Sequence, residues 1–371
     1  MGWAEKLPSG KYRAVYRDSD GRQRPATPGI TYVRKAQAER AASAAEERER
    51  DNPSPAGADR VTWGEWEPRW LEGRKRADST ERSDAARIRD HVRPYWHDRP
   101  LRAITRTDVE TWTVKLSQEL APSTVHKCYF LLSASLKAAV GARLIVANPC
   151  KGVTLPKIPP QPDRYLEDAE YKAIRVTLDD FDQFAADLLV GTGLRLGEAL
   201  ALHWEHVDLD HRAITVAWSY DPVARKMKPP KDHERRDVPI GSSLVASLRD
   251  RLDQAGPGTP PDVEYIGSAT PPTRTGLVLA HVAGRPMDSS NFRHRWEASC
   301  RIAWTGPARN RRHVGKVRLH DLRHTYASRL LRAGVPIEEV SALLGHESIR
   351  TTMRYKHLAK SHWDTVRRAL G

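Results

Sequence analysis

The sequence predicts a multidomain, mainly α protein with small β-sheets, an α+β arrangement, on three observations. Its 371 residues exceed the length over which one hydrophobic core grows, so two or three domains are expected. Two proline-rich breaks, Asp51-Asn52-Pro53-Ser54-Pro55-Ala56-Gly57 and Pro156-Lys157-Ile158-Pro159-Pro160-Gln161-Pro162, interrupt helix and ladder alike and set domains over 1–55, 60–155 and 163–371. Elsewhere apolar residues recur mostly at helical spacing, and only short stretches alternate with the two-residue period of a strand. No internal repeat is evident.

The first module reads as strand followed by helix. In Lys11-Tyr12-Arg13-Ala14-Val15-Tyr16-Arg17 basic side chains alternate with Tyr and Ala, and Asp20-Gly21 supplies a hairpin turn. Arg34 to Arg50 is rich in the helix formers Ala, Glu and Arg. In the middle segment Ser123 is placed as the cap of a helix whose Val125, Tyr129, Leu132, Leu136 and Val140 share one buried stripe. From Asp163 helices mix with a short sheet. Ile214, Val216 and Trp218 alternate with Thr215 and Ala217 as one strand, with Arg236-Asp237-Val238-Pro239-Ile240 as its returning partner. Helices are expected over His320–Leu331, Ile337–Leu344 and Ile349–Tyr355, punctuated by Gly334-Val335-Pro336 and Gly345-His346.

Composition narrows the function. Lys plus Arg number 61 against 47 Asp plus Glu, a formal charge of +14, and a polyanion such as nucleic acid is the partner that balance favours, with a solvated basic face as the alternative. Cys128, Cys150 and Cys300 are an odd, scattered set, which excludes a disulfide framework or a four-thiolate zinc site and fits a reducing cytosol. The N-terminus carries no apolar signal core, and the oily stretch Leu188–Leu202 is broken by Arg195 and Glu198, so neither a signal peptide nor a membrane span is expected. Gly191, Gly193 and Gly197 are wrongly spaced for a nucleotide-phosphate loop, and no ATP site is indicated.

Three clusters carry chemistry. Arg195 and Glu198 share a face where a turn feeds an apolar helix, so the arginine either pairs with the carboxylate or is aimed at an anion. His320 and Arg323 lie one helical step apart, an imidazole that titrates near neutrality beside a permanent charge, as a phosphoryl-transfer site needs; His324 reads as structural. Leu343-Leu344-Gly345-His346 is followed nine residues on by Tyr355, whose hydroxyl needs cations and a proton acceptor before it can attack.

Read in order, these pieces resemble the tyrosine site-specific recombinases of the phage integrase family: Arg195 in Thr-Gly-Leu-Arg-Leu-Gly-Glu, His320 and Arg323 in Leu-His-Asp-Leu-Arg-His-Thr, His346 in Leu-Leu-Gly-His, and Tyr355. Lys231 sits where the family carries a hairpin lysine, with Lys228 as competitor. The resemblance implies an arm-type DNA-binding domain over 1–55, a helical SAM-like core-binding domain over 60–155, marked by Pro122-Ser123-Thr124-Val125 and Ala147-Asn148-Pro149, and a mixed α/β catalytic domain over 163–371. Together they would close on DNA as a C-shaped clamp.

The implied activity is DNA strand transfer through a 3′-phosphotyrosyl intermediate on Tyr355, with no metal, ATP or other cofactor, serving integration and excision of a phage or other mobile element. Arg195 and Arg323 would grip the non-bridging oxygens, His320 would accept the tyrosine proton, Lys231 would protonate the leaving 5′-oxygen, His346 would donate to the phosphate, and Glu198 would orient this set. Lys11, Arg13, Arg17, Arg309, Arg311, Arg312, Lys316 and Arg318 are further DNA-backbone candidates. The implied partners are double-stranded attachment sites, a homotetramer formed on DNA, an excisionase and a DNA-bending host factor, in the bacterial cytoplasm at the nucleoid and away from membrane. Beyond the tyrosine, Leu358, Trp363, Val366 and Leu370 offer a helical face to a neighbouring subunit or to their own domain. Two rivals stand. A non-catalytic regulator with a helix-turn-helix over Val335–Tyr355 leaves the ordered Arg, Lys, His, Arg, His and Tyr set unexplained, and a type IB topoisomerase-like enzyme would act on a single duplex.

Overall fold

The computed structural model describes residues 2–18, 21–27, 29–51, 60–74, 78–159, 163–230, 235–267, 272–281 and 284–358. The chain divides into two units, Met1–Pro160 and Gln161–Gly371.

The first unit opens with an antiparallel sheet of β1 (Trp3–Lys6), β2 (Tyr12–Arg17) and β3 (Gln23–Pro25), in which Trp3 faces Val15 and Tyr16 faces Arg24. The strand β1 carries too short a pattern to be read from sequence. Helix α1 (Lys35–Asp51) lays Ala38, Ala42 and Ala45 on Ala14, Tyr16 and Ala26, a core of small side chains that lets helix and sheet approach closely. At Gly2 the approach is closest: a Cβ there would stand 2.5 Å from the Ala42 carbonyl carbon. Of the expected Asp20-Gly21 turn, Asp20 lies outside the described residues, and Gly21 takes φ 78°.

Helices follow: α2 (Trp63–Glu72), then α3 (Asp78–Arg87) running through a π-helical stretch, Ile88–Val92, into α4 (Arg93–Trp96), then α5 (Arg106–Glu119) and α6 (Pro122–Gly141). Thr62 with Glu65, and Thr105 with Asp108, close reciprocal capping boxes that fix where α2 and α5 begin. Their core is rich in tryptophan: Trp63, Trp66, Trp70, Trp96 and Trp112 pack with Val125, Leu132 and Leu136. The Trp63 indole donates to Ser135 Oγ (2.9 Å) and that of Trp66 to the Ser135 carbonyl (3.0 Å), so the two rings stay buried with their polar atoms satisfied. Helix α6 begins one residue before the expected cap. Ala121 is its N-cap and Pro122, with φ already helical and no N–H to satisfy, opens the first turn, leaving Ser123 inside the helix. Cys128 and Cys150 lie in this core as free thiols, and burial pushes Cys150 up to about 12.

The second unit begins with α7 (Asp168–Arg175), α8 (Asp180–Thr192) and α9 (Leu196–Leu200), followed by an antiparallel sheet of β4 (Val207–Asp208), β5 (Ala213–Val216) and β8 (Arg236–Pro239), in which Ile214 faces Val238. The returning strand is as expected, but β5 stops at Val216. Trp218 leaves the ladder to pack edge-on against Tyr265 (centroids 5.3 Å apart, planes at 90°). Around that contact a second sheet forms from β6 (Ser219–Asp221), β7 (Lys226–Lys228) and β9 (Glu264–Tyr265), with β7 and β9 parallel and a small core of Met227, Tyr265 and Leu277.

The remaining elements are α10 (Ser242–Ala255), α11 (Ser289–Ile302), the short pair β10 (Trp304–Thr305) and β11 (Arg312–His313), then α12 (Leu319–Ala333), α13 (Ile337–Leu344), α14 (Ile349–Thr352) and a 3-10 turn, Met353–Leu358. Cys300 on α11 is a third buried free thiol, raised to about 11 by burial. Helix α12 is the axis of the unit. Every residue from Asp321 to Ser328 is buried, so it is packed all round rather than along one stripe. The proposed tail face beyond Leu358 lies outside the described residues. Among the described residues no helix is long and apolar enough to cross a membrane.

Candidate active site

The site is organised by the end of α13. The last carbonyls of any helix lack intrahelical partners and carry the negative end of its dipole, so they attract cations. Here three consecutive carbonyls each take an arginine from a different element. Arg236 Nε donates to the Leu343 carbonyl (2.9 Å), Arg323 Nη2 to the Leu344 carbonyl, and Arg195 Nη2 to the Gly345 carbonyl (2.8 Å). Gly345 makes this turn possible: it caps α13 at φ 61°, and a Cβ on it would stand 2.9 Å from the Arg236 guanidinium.

Each arginine is held a second time. Arg323, 3% exposed, also donates to the Gly193 carbonyl (2.7 Å). Gly193 is a left-handed cap at φ 64° whose absent Cβ would stand 2.4 Å from the Tyr326 ring, so the turn after α8 needs glycine on both conformational and steric grounds. Arg195 is the N-cap of α9 and shares Glu198 with Arg236, at 2.9 Å and 2.6 Å. Glu198 is 2% exposed. Burial alone would raise its pKa, but the hydrogen bonds and charge of Arg236, with those of Arg195, outweigh it and hold the carboxyl below its ordinary range. Three guanidiniums thus converge on one helix end, the kind of permanent, hydrogen-bonding charge that recognises a phosphate or carboxylate. Burial and the neighbouring Arg195 charge lower Arg323 to about 9, still protonated at neutral pH.

The histidines respond to the same field. His346 sits just past the α13 cap, and burial together with Arg323 and Arg195 pushes it down to about 3. Its Nδ1 lies 2.8 Å from Thr352 Oγ1. When the hydroxyl donates to Nδ1, the proton of the neutral ring is left on Nε2, available to a ligand. His320, on the first turn of α12, is exposed as a whole, and partial loss of water around its ring, with the His324 and Arg323 charges, pushes it below the ordinary imidazole range. His346 is neutral at pH 7.

Tyr355 falls in the 3-10 turn after α14 rather than in a continuing helix, and is 2% exposed. Its hydroxyl is hydrogen-bonded to His324 Nδ1. Sequence reading set His324 aside as structural and gave the tyrosine proton to His320. In this structure His320 makes no hydrogen bond to the phenol, and its ring packs edge-on against His324 (centroids 4.8 Å apart). Burial raises Tyr355 to about 12, with Asp163 adding to the rise while Arg354 and Arg323 oppose it.

Arg195, Glu198, His320, Arg323, His346 and Tyr355 are therefore brought to one region of the second unit. Lys231 lies outside the described residues. Its competitor Lys228, on β7, is tied to Asp221 (2.9 Å). The other basic candidates are surface residues. Lys11 precedes β2, and Arg13 and Arg17 lie on it, with Arg13 near Glu5 (3.5 Å) and Arg17 over the Trp3 ring. Arg309, Arg311 and Lys316 are exposed around the β10–β11 pair, Arg311 over Trp304, while Arg312 is paired with Glu170 (3.1 Å) and Arg318 with Asp321 (2.8 Å). Arg236 was read only as a strand residue, and the residues before Val238 gave no sign that its side chain returns to the site. Among the described residues no group of three His, Cys, Asp or Glu side chains could hold a metal.

Known proteins resemble this chain in sequence and in fold. The model of the phage integrase family matches residues 164–362. A "Tyrosine recombinase XerC-like" protein of Caldanaerobacter subterraneus subsp. tengcongensis is 30% identical over 284 residues, covering 69% of this chain and 68% of that protein. Two further curated relatives are spanned over 66% and 58% of their own length. Among solved structures, the Tn1549 transposon integrase in complex with a circular intermediate DNA superposes with a TM-score of 0.65 at 19% identity, over 82% of this chain and 97% of that one. A lambda integrase tetramer bound to a Holliday junction superposes with a TM-score of 0.59 at 18% identity, over 93% and 95%. At these identities the structures speak for the fold.

Proposed function

The chain belongs to the phage integrase family, the tyrosine site-specific recombinases, and from that premise we propose that it cuts and rejoins two DNA duplexes at attachment sites, integrating and excising a mobile element. The observation that carries this reading is the cage of Arg195, Arg236 and Arg323 on the carbonyls at the end of α13, two of them sharing Glu198, with Tyr355 in the turn that follows.

A backbone phosphate is the anion such a cage fits. Arg195 and Arg323 grip its non-bridging oxygens, and their fixed positions matter most as negative charge builds in the transition state. His346 donates from Nε2, and Glu198 and Arg236 hold Arg195 in place without touching the scissile bond. The Tyr355 oxygen attacks phosphorus, replacing one phosphodiester by a 3′-phosphotyrosyl bond and freeing a 5′-hydroxyl. The exchange is close to thermoneutral and needs neither ATP nor metal. One of the pair His320 and His324 takes the phenolic proton, and Lys231, or Lys228 if the hairpin shifts, protonates the leaving oxygen.

The basic residues of β2 and of the β10–β11 region track the DNA backbone, the first module engaging a second class of site. Strand exchange between two duplexes requires four subunits on DNA, with an excisionase and a DNA-bending factor setting direction, in the bacterial cytoplasm. A nicked attachment-site substrate that traps the covalent product tests the reading. Wild type is expected to accumulate adduct and Tyr355→Phe none at unchanged DNA affinity; equal trapping by both removes Tyr355 as nucleophile.

A further inference from the structure

The phenol of Tyr355 has one hydrogen-bond partner among the described residues, and it is His324 rather than His320. His324 is itself 3% exposed. Its remaining nitrogen, Nε2, faces Asp163 Oδ1 at 4.0 Å. Asp163 is bound in turn by Arg354 Nε at 2.7 Å, from the residue next to the tyrosine. Hydroxyl, imidazole and carboxylate thus follow one another in the order in which an aspartate-backed histidine activates a serine, the carboxylate at ion-pair distance rather than hydrogen-bonded. His320 lies beside this line, against the His324 ring, with no bond to the hydroxyl.

We propose that His324, backed by Asp163, is the proton acceptor for Tyr355. This rests on the recombinase reading and changes which histidine serves the nucleophile. As the phenolic O–H bond breaks, the proton moves to His324 Nδ1. The oxygen forms the new bond to phosphorus while the bond from phosphorus to the 5′-oxygen breaks, and that oxygen takes its proton from a separate donor. The imidazolium left behind directs Nε2–H at Asp163. On ligation the same proton returns to the phenol. His320 is then free to donate to the phosphate.

Before DNA binds, the proton belongs to the tyrosine. Burial raises the phenol and lowers His324, with Asp163 and Asp321 opposing the latter and Arg354 and Arg318 reinforcing it. Because the phenol is 2% exposed, the phosphate must be admitted to it before attack, with the hydroxyl still on His324 Nδ1. The arriving phosphate brings negative charge, which favours protonating the histidine.

The test is single-turnover cleavage of a nicked attachment-site substrate by the full chain, with either oxygen or sulfur as the 5′ leaving atom. A sulfur leaving group needs no proton, so it repairs loss of a proton donor and not loss of a proton acceptor. His324→Gln keeps a hydrogen bond to the phenol but takes no proton in the working pH range. It is expected to bind DNA and melt like wild type yet cleave about a hundredfold more slowly with both substrates. His324→Ala is expected to behave alike and to be rescued by added imidazole. The wild-type rate should fall at acid pH as His324 protonates, and that limb should be missing from His324→Gln. Cleavage by His324→Gln at the wild-type rate, its rescue by sulfur, or faster cleavage than wild type, which would make His324 a restraint, each overturns the proposal. A wild type that forms no Tyr355-dependent adduct overturns the recombinase reading, and this inference with it.

Discussion

Arg323 and Arg311 carry the same charge in opposite settings. Arg323 is 3% exposed, with both terminal nitrogens on backbone carbonyls, whereas Arg311 stands in solvent with its guanidinium over the Trp304 ring at 5.9 Å. Arg13 resembles Arg311, half exposed and 3.5 Å from Glu5. A guanidinium fixed by carbonyls at the ends of α8 and α13 cannot follow a ligand, so the ligand must come to it, and the position of one phosphate is decided by the fold. An exposed arginine has rotamers to spare and can meet a phosphate wherever the duplex puts it. Under the proposed function, the difference would separate residues that define where a bond breaks from residues that keep the polymer close.

Replacement is the strongest way to break that distinction. Arg323→Ala is expected to slow single-turnover cleavage by on the order of a hundredfold or more, with little change in binding, while Arg311→Ala leaves the cleavage rate of bound complex intact. Similar effects from both would dissolve the contrast. Next in size is Glu198→Ala, which leaves Arg195 and Arg236 without their shared counter-charge. Removing one member of a buried ion set costs about 3 kcal/mol, read as a lowered urea midpoint for the second unit by tryptophan fluorescence. No loss of stability would mean that the α13 carbonyls suffice to hold both arginines.

A smaller effect concerns pH. Buried His203 is lowered to about 4 and half-buried His346 to about 3, burial being the leading cause in each. Unfolded histidine titrates near ~6.5, so below that pH the unfolded chain binds protons that the folded one refuses, and stability falls as pH drops from ~6.5 toward 4. Melting temperatures between pH 7 and 5 should decline, and His203→Gln should flatten part of the slope. A flat wild-type profile would mean that these rings protonate in the fold. Smallest is the salt response: replacing Arg309 and Arg311 together with Ala should lower the slope of log affinity against log salt by ~2, and an unchanged slope would remove both from the DNA contact.

The site was legible where its residues act through short-range geometry. Arg195 three residues before Glu198, and Arg323 three after His320, announce shared faces, and Gly193 and Gly345 mark the turn and the helix break that the structure forms as left-handed caps. What escaped depends on tertiary packing. Arg236 reaches the α13 carbonyls only because β8 pairs with β5, and a strand pattern shows which face a residue takes but not what meets it there. His324 looks like any buried helix histidine until the turn after α14 lays a phenol on it. The second sheet escaped for a similar reason: β6, β7 and β9 are too short for a period of two to register, and Trp218 continued the alternation of β5 after the backbone had left it. Ser123 was preferred as a cap for its hydroxyl, although Pro122 was already suited to open the helix.

All three native thiols, Cys128, Cys150 and Cys300, are sealed in cores and raised by burial, which leaves them unreactive. A cysteine installed at an exposed site in each unit, for example in place of Phe130 and of Ile302, would then be the pair that a maleimide dye labels. With no native thiol to remove by mutation, each dye would report on its own unit in an otherwise unaltered sequence.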